Sequence, residues 1–406
     1  MAGNLFFIKK SCNAQSCVKI CLFLYFIVAV ISQFNNADFS FYSARKTIEL
    51  FLHFLLFIML TSVCSMRQNY TGKLFYTVLG FFVLPYTAIV LFQVIGLFPI
   101  EYGPWRMIFD VTLNDVESPI ILKWLNSFSY HSFHKYSGRI NFLNGIVASS
   151  LNTTLLLATV IGILIFASAT LGHLQKKYLW VSLFILTIAF FLSFTRATVL
   201  PFLFFLLFFI LSTVKGKRKY FILGAICLSG LVLVIHPKYR FRVMLIEKHI
   251  TTIKYEKWGL AKSYIENNMH GLDWVVGKGF TRYYEKFQPW GNVENQYVQE
   301  FIDKGIFGVL IYILLLCSYF LLGYVGWRQL REDKWQRGIA WGLMPFSCVL
   351  IVHTLVESQY RSSIPWLLVI MGSIIIATLK NQMTELNRLS ASSTSKDHRG
   401  ITPHIL

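Results

Sequence analysis

The chain has 406 residues, of which 55% are hydrophobic and 14% charged, with a formal net charge of +19. A water-soluble domain carries about a quarter charged residues, so a soluble fold is excluded: this much apolar surface needs lipid to face. Lys and Arg lie between long apolar runs and not along one stripe, which sets aside nucleic acid and points to membrane flanks and an anionic substrate.

A membrane helix needs about 20 mostly apolar residues. The sequence predicts ten, near Ile20–Phe34, Ile48–Met66, Leu74–Leu97, Ile146–Leu171, Tyr178–Phe194, Ala197–Val214, Phe221–Ile235, Ile306–Trp327, Ile339–Leu355 and Pro365–Leu379. Trp105–Leu125 is amphipathic, either interfacial or a re-entrant pair that would raise the number to about twelve. The expected class is thus an all-α polytopic membrane protein. Lys9, Lys10 and Lys19 precede the first apolar run and no small-residue cleavage site follows it, so it reads as an anchor and not a cleaved leader.

Basic residues in short loops set orientation. Lys176 and Lys177, then Lys215, Lys217, Arg218 and Lys219, then Arg328, Arg331, Lys334 and Arg337 fall on one side when the spans alternate. That side holds both termini and is the expected cytoplasmic one. The expected organisation is helices one to seven in 1–235, an external loop in 236–304, helices eight to ten in 305–379, and a disordered tail in 380–406. The first part of the loop, His236–Lys262, is strongly basic, with Arg240 and Arg242 among its cations. Of the seven cysteines none falls in the external loops, so no disulfide is expected. His131 and His134 lack a third ligand and read as surface histidines.

Three arginines converge on the external face in this topology: Arg139 before the fourth span, Arg196 between the fifth and sixth, and Arg361 between the ninth and tenth. Two of them have a plain reading, Arg196 as an interfacial residue reaching for headgroups and Arg361 as the partner of Glu357 four residues earlier. Together they form a set suited to a phosphate or pyrophosphate, which guanidinium forks hold well. The loop ends in a predicted short helix over Val293–Gly305. Tyr297, Phe301, Val298 and Ile302 make its apolar face, Asn295 and Gln299 a polar one, and Gly305 its C-terminal stop. Glu294 at its start is either a carboxylate favoured by the helix dipole or a general base. Trp258, Ala261, Tyr264 and Ile265 have the spacing of a packing helix, and Gly277-Lys278-Gly279-Phe280 is too short for a phosphate loop.

In order along the chain, Gly138-Arg139-Ile140-Asn141-Phe142, Thr195-Arg196-Ala197-Thr198, a long external loop, Glu294-Asn295-Gln296-Tyr297 with Gly305-Ile306-Phe307-Gly308, and Arg361-Ser362-Ser363-Ile364-Pro365 resemble the O-antigen ligase and O-antigen polymerase superfamily of bacterial inner-membrane glycosyltransferases. The resemblance implies lipopolysaccharide biosynthesis at the periplasmic face. The donor would be an undecaprenyl-pyrophosphate-linked glycan. The acceptor would be lipid A–core for a ligase, or another lipid-linked repeat for a polymerase. It implies no metal or other cofactor. It also implies that Arg139, Arg196 and Arg361 hold the pyrophosphate. The residues themselves add Glu294 as the expected base, Asn295 as a substrate contact, and Arg240 and Arg242 as cations that attract the phosphorylated lipid partner. Many ligases have a histidine where this chain has Glu294, a departure toward the polymerases. The arginine-bearing turns look more like ligases. A non-enzymatic transporter of the same lipid-linked glycan is a third reading, disfavoured by the absence of repeated halves in the sequence.

Overall fold

A computed structural model of the chain describes residues 2–35, 41–66, 72, 74–76, 150–192, 196–214, 216–217, 220–221, 223–224, 228, 255–280, 295–330, 333–355 and 364–397. Among these there is no strand. The helices are α1 (Ala2–Phe34), α2 (Phe41–Met66), α3 (Ser150–Thr170), α4 (His173–Leu192), α5 (Arg196–Thr213), α6 (Tyr255–Asn268), α7 (Asp273–Val276), α8 (Gln296–Gln329), α9 (Lys334–His353) and α10 (Ile364–Asp397). Four stretches among the described residues are long and apolar enough to cross a membrane: Asn13–Phe34, Ser43–Met66, Gln296–Gln329 and Leu367–Glu385. On α2 the residues Phe51, Leu52, Leu55, Ile58, Met59 and Val63 are exposed. Water rejects such a face and lipid accepts it, so the architecture fits a membrane protein.

Two helices outrun their expected ends. α1 is helical from Ala2 instead of from Ile20, and α10 continues from Leu379 to Asp397, through residues expected to be disordered. Once a helix is nucleated, each further residue adds one hydrogen bond at little cost. Lys380, Gln382, Met383, Glu385 and Arg388 are also good helix formers. Most of the third and seventh expected spans, and Trp105–Leu125, lie outside the described residues.

The packing defines two ends of the bundle. α8 and α9 form an antiparallel pair, closed by a short connection at one end and by Gln296 N donating to Thr354 O (2.9 Å) at the other. They approach closely because Gly323 and Gly326 face Ala340 on α9, where a methyl group would collide. Trp341 of α9 is wholly buried. It stacks on Phe166 of α3 at 4.8 Å and donates to Ser212 Oγ of α5 at 2.9 Å. Gly342 meets Ile163 and Gly338 lies near Phe166, so α3 runs antiparallel to α9. Gly162 meets Phe205, which aligns α5 with α3. Outside this core, Ser373 Oγ donates to Phe57 O and Asn381 Nδ2 to Ser65 O, seating α10 alongside α2.

It follows that the starts of α2, α3, α5, α8 and α10 and the ends of α1 and α9 share one end of the bundle, where α6 and α7 also sit. The opposite end carries Lys176, Lys177, Lys217, Arg328, Lys334 and Arg337.

Candidate functional site

The loop-side end is organised around a break in a helix. The φ/ψ of Gly305 (64°, −165°) interrupts α8 between a short leading helix and the long apolar one. The expected stop at Gly305 is therefore present, with a membrane-length helix continuing beyond it. Such a break strands carbonyl groups that lose their helical donors. Here the loop supplies replacements: Lys278 N donates to Ile302 O and Gly279 N to Asp303 O, each at 2.9 Å. The Gly277–Phe280 segment is thus a cap for the broken helix. Gly277 (φ 75°, ψ −176°) faces the Asp303–Lys304 peptide, and Gly305 faces Val275 and Val276.

Further bonds tie the loop to α1 and α2. Asn35 Nδ2 donates to Asp273 Oδ1 and to Gly277 O, both at 2.7 Å, and Ser43 Oγ donates to Phe280 O. Asp273 also accepts from His270 N (3.1 Å) and pairs with Lys278 Nζ (3.3 Å). Partial burial alone would raise this carboxyl, but the donors from His270, Asn35 and Lys278 outweigh it and hold it below its ordinary 3.8. A carboxylate held low when folded stabilises the fold above its unfolded pKa, and that contribution disappears as pH falls through the folded one. Wild type is therefore expected to lose stability on acidification below 3.8 more steeply than Asp273→Asn, as read from Tm against pH.

The leading turns of α8 hold a buried polar network. Glu300 Oε2 accepts from Lys304 Nζ at 2.6 Å, and both side chains are 2% exposed. Glu300 Oε1 accepts from Tyr25 Oη and from Gln296 Nε2, each at 2.7 Å. Lys304 Nζ lies 3.3 Å from Tyr25 Oη and over the rings of Tyr25 and Phe280, at 4.7 and 4.8 Å from their centroids. Gln299 Nε2 donates to Asp303 Oδ2 at 2.8 Å. These groups adjoin a cavity of about 140 Å³ between α1, α2, α8 and α10.

Of the residues expected in the site, Asn295 is described. It is the N-cap of α8, its Oδ1 accepting from Tyr297 N (3.0 Å) and Val298 N (3.1 Å). Asn295→Ala should therefore lower stability by about 1 kcal/mol, as lost N-caps do, measured by thermal denaturation in detergent. Arg196 is the first residue of α5, with its side chain outside the described residues. Glu294, Arg139, Arg361, Arg240 and Arg242 lie outside the described residues. α3, α8 and α10, which follow Arg139, Glu294 and Arg361 in the chain, all begin at the end where α5 begins.

The expected packing helix is α6: Ala261, Tyr264 and Ile265 pack with Met269 against Val298, Phe301 and Ile302 of α8. Sequence reasoning missed Glu300, Lys304 and Tyr25. Their signal was present as a Glu and a Lys four residues apart, but that spacing is also the ordinary signature of a solvated face. Gln299, read as part of a polar face, is buried there, at 5% exposed. Among the described residues no group of His, Cys, Asp and Glu could hold a metal ion. No protein-family model matches the chain, and no curated protein is significantly similar to it.

Proposed function

We propose that the protein is a glycosyltransferase of the O-antigen ligase and polymerase type, acting on the loop side of the bundle with a lipid-pyrophosphate donor. The observation that carries the reading is the gathering of helix starts at one end, since Arg196 opens α5 there and Asn295 caps α8 there. In this reading the chain crosses the inner membrane about ten to twelve times, a length for each crossing of about 20 residues. The end bearing Lys176, Lys177, Lys217, Arg328, Lys334 and Arg337 faces the cytoplasm, as basic short loops do.

The reaction joins an acceptor hydroxyl oxygen to the anomeric carbon of the donor glycan. The bond from that carbon to the pyrophosphate oxygen breaks, and its electron pair leaves with the pyrophosphate. Glu294 takes the hydroxyl proton. Arg139, Arg196 and Arg361 hold the leaving group and stabilise its growing charge. Arg240 and Arg242 draw the phosphorylated lipid partner electrostatically, and Asn295 sits beside the acceptor. Lipid A–core is the acceptor in the ligase reading. The carboxylate at Glu294, where many ligases have histidine, favours the polymerase as the second reading.

Purified protein given lipid-linked glycan and lipid A–core tests this. Transfer should fall by about 100-fold or more in Arg196→Ala and Glu294→Ala, the scale for an acid–base or charge-stabilising group. Unchanged transfer would remove that residue from the mechanism. Loss of a ligase leaves bare core, loss of a polymerase leaves core with one repeat, and movement of lipid-linked glycan without a new glycosidic bond identifies a transporter.

A further inference from the structure

The cavity behind the helix break has two kinds of wall. One is apolar, made by Leu22, Leu50, Leu316, Leu368 and Val369. The other carries Lys46, Glu49, Gln296, Glu300 and Lys304, with the rings of Tyr25, Phe280 and Tyr312 beside them. Lys46 pairs with Glu49 at 2.7 Å, and these side chains are 12% and 34% exposed. Glu300 and Lys304 are 2% exposed. The lining thus grades from an accessible ion pair at the mouth to a buried one at the floor.

Both ion pairs cost desolvation, and hydrophobic replacements for a buried pair are often as stable. Charge retained inside a membrane-crossing helix is expensive and tends to serve a function. Lys46 and Lys304 are matched by Glu49 and Glu300, and the other basic group of the lining, His53, places Nδ1 against Glu49 O at 2.7 Å, so no lysine is left over for a phosphate. The lining offers hydrogen-bond donors, carboxylate acceptors and aromatic rings around a cavity of about 140 Å³. Those features fit an uncharged six-membered ring bearing hydroxyl groups on its edge and C–H groups on its faces.

We infer that this cavity is a binding site for one neutral pyranose ring, with Glu49, Lys46, Glu300 and Lys304 at its hydroxyls and aromatic rings against its faces. The inference rests on the lining, and on the transferase reading only for where such a ring would come from.

Saturation-transfer NMR on the full chain, purified in a detergent without a sugar headgroup, tests it. The probes are methyl hexosides of gluco, galacto and manno configuration, and excess inorganic pyrophosphate, which has no carbon-bound proton to observe, is added as an anionic competitor that should leave their signal unchanged. At least one hexoside should receive saturation from the wild type. Leu50→Trp and Val369→Phe, which fill the cavity and leave its ion pairs in place, should abolish that signal, and Glu49→Gln should weaken it several-fold. Retention of the wild-type Tm shows that each variant is folded, and a variant that fails this leaves the other two to decide. Hexoside binding that survives cavity filling, or its absence from wild type, overturns the assignment. Hexoside binding without glycosyl transfer would leave the cavity assignment standing and remove the transferase reading. Transfer by a protein with no hexoside site would do the reverse.

Discussion

Gly305→Ala will destabilise the protein by about 4 kcal/mol or more, a loss reached only through severe mechanisms such as backbone strain. Gly305 has φ 64° and ψ −165°, a region essentially restricted to glycine. A Cβ there would also overlap the carbonyl of Val275 and the amide of Val276. The overlap is with backbone, so no side chain can rotate aside to relieve it. Gly277→Ala should do comparable damage from the other side of the same contact, because its Cβ would strike the Asp303–Lys304 peptide. Gly259→Ala is the control. Its Cβ would meet nothing within 4 Å and it lies inside α6, so alanine should raise stability by about 0.5–1 kcal/mol. Thermal or denaturant unfolding in detergent reads all three. A Gly305→Ala protein as stable as wild type would mean that the loop does not seat on the break in α8.

The second large effect belongs to the buried ion pair. Lys304→Met should lose about 3–5 kcal/mol, because it strands a carboxylate that is only 2% exposed. Glu300→Gln should lose a similar amount by stranding the ammonium. The double variant should lose far less than the sum of the two, since a neutral pair of similar volume removes both desolvation terms. A double-mutant cycle measures that coupling, and residues in one network commonly couple by about 0.5–3 kcal/mol. Tyr25→Phe should be milder. It removes one donor to Glu300 and leaves the ring beneath Lys304 in place. Additive losses from Lys304→Met and Glu300→Gln would show that the two charges do not meet.

These two predictions concern one piece of architecture, and they separate what is local from what is not. The apolar runs within α1, α2, α8 and α10 were legible because membrane helices announce themselves by composition over about 20 residues. The stop at Gly305 was legible from residue type. The packing role of Ala261, Tyr264 and Ile265 was legible from spacing. The partner of Lys304 on its own helix was legible as a spacing, but its burial was not. Burial depends on α1 and the Phe280 segment covering that face, and Tyr25 lies 275 positions from Glu300 in the chain. The role of Gly277-Lys278-Gly279-Phe280 was hidden for the same reason. A cap for carbonyls on another helix has no local signature. Of the expected site, the sequence marked Asn295 as a polar residue of the α8 start, and its part as N-cap came only with the backbone geometry.

The sequence by itself determined the helices among the described residues that are long and apolar enough to cross a membrane, since hydropathy and helix-stopping residues act over one or two dozen positions. Only the tertiary structure decided that the leading turns of α8 are enclosed. It alone brought Glu300, Lys304 and Tyr25 into one network and turned two glycines into a backbone-to-backbone contact. The physical reason is range. Propensity and hydropathy are properties of neighbours in the chain, whereas desolvation and close approach depend on which distant segments exclude water from a side chain.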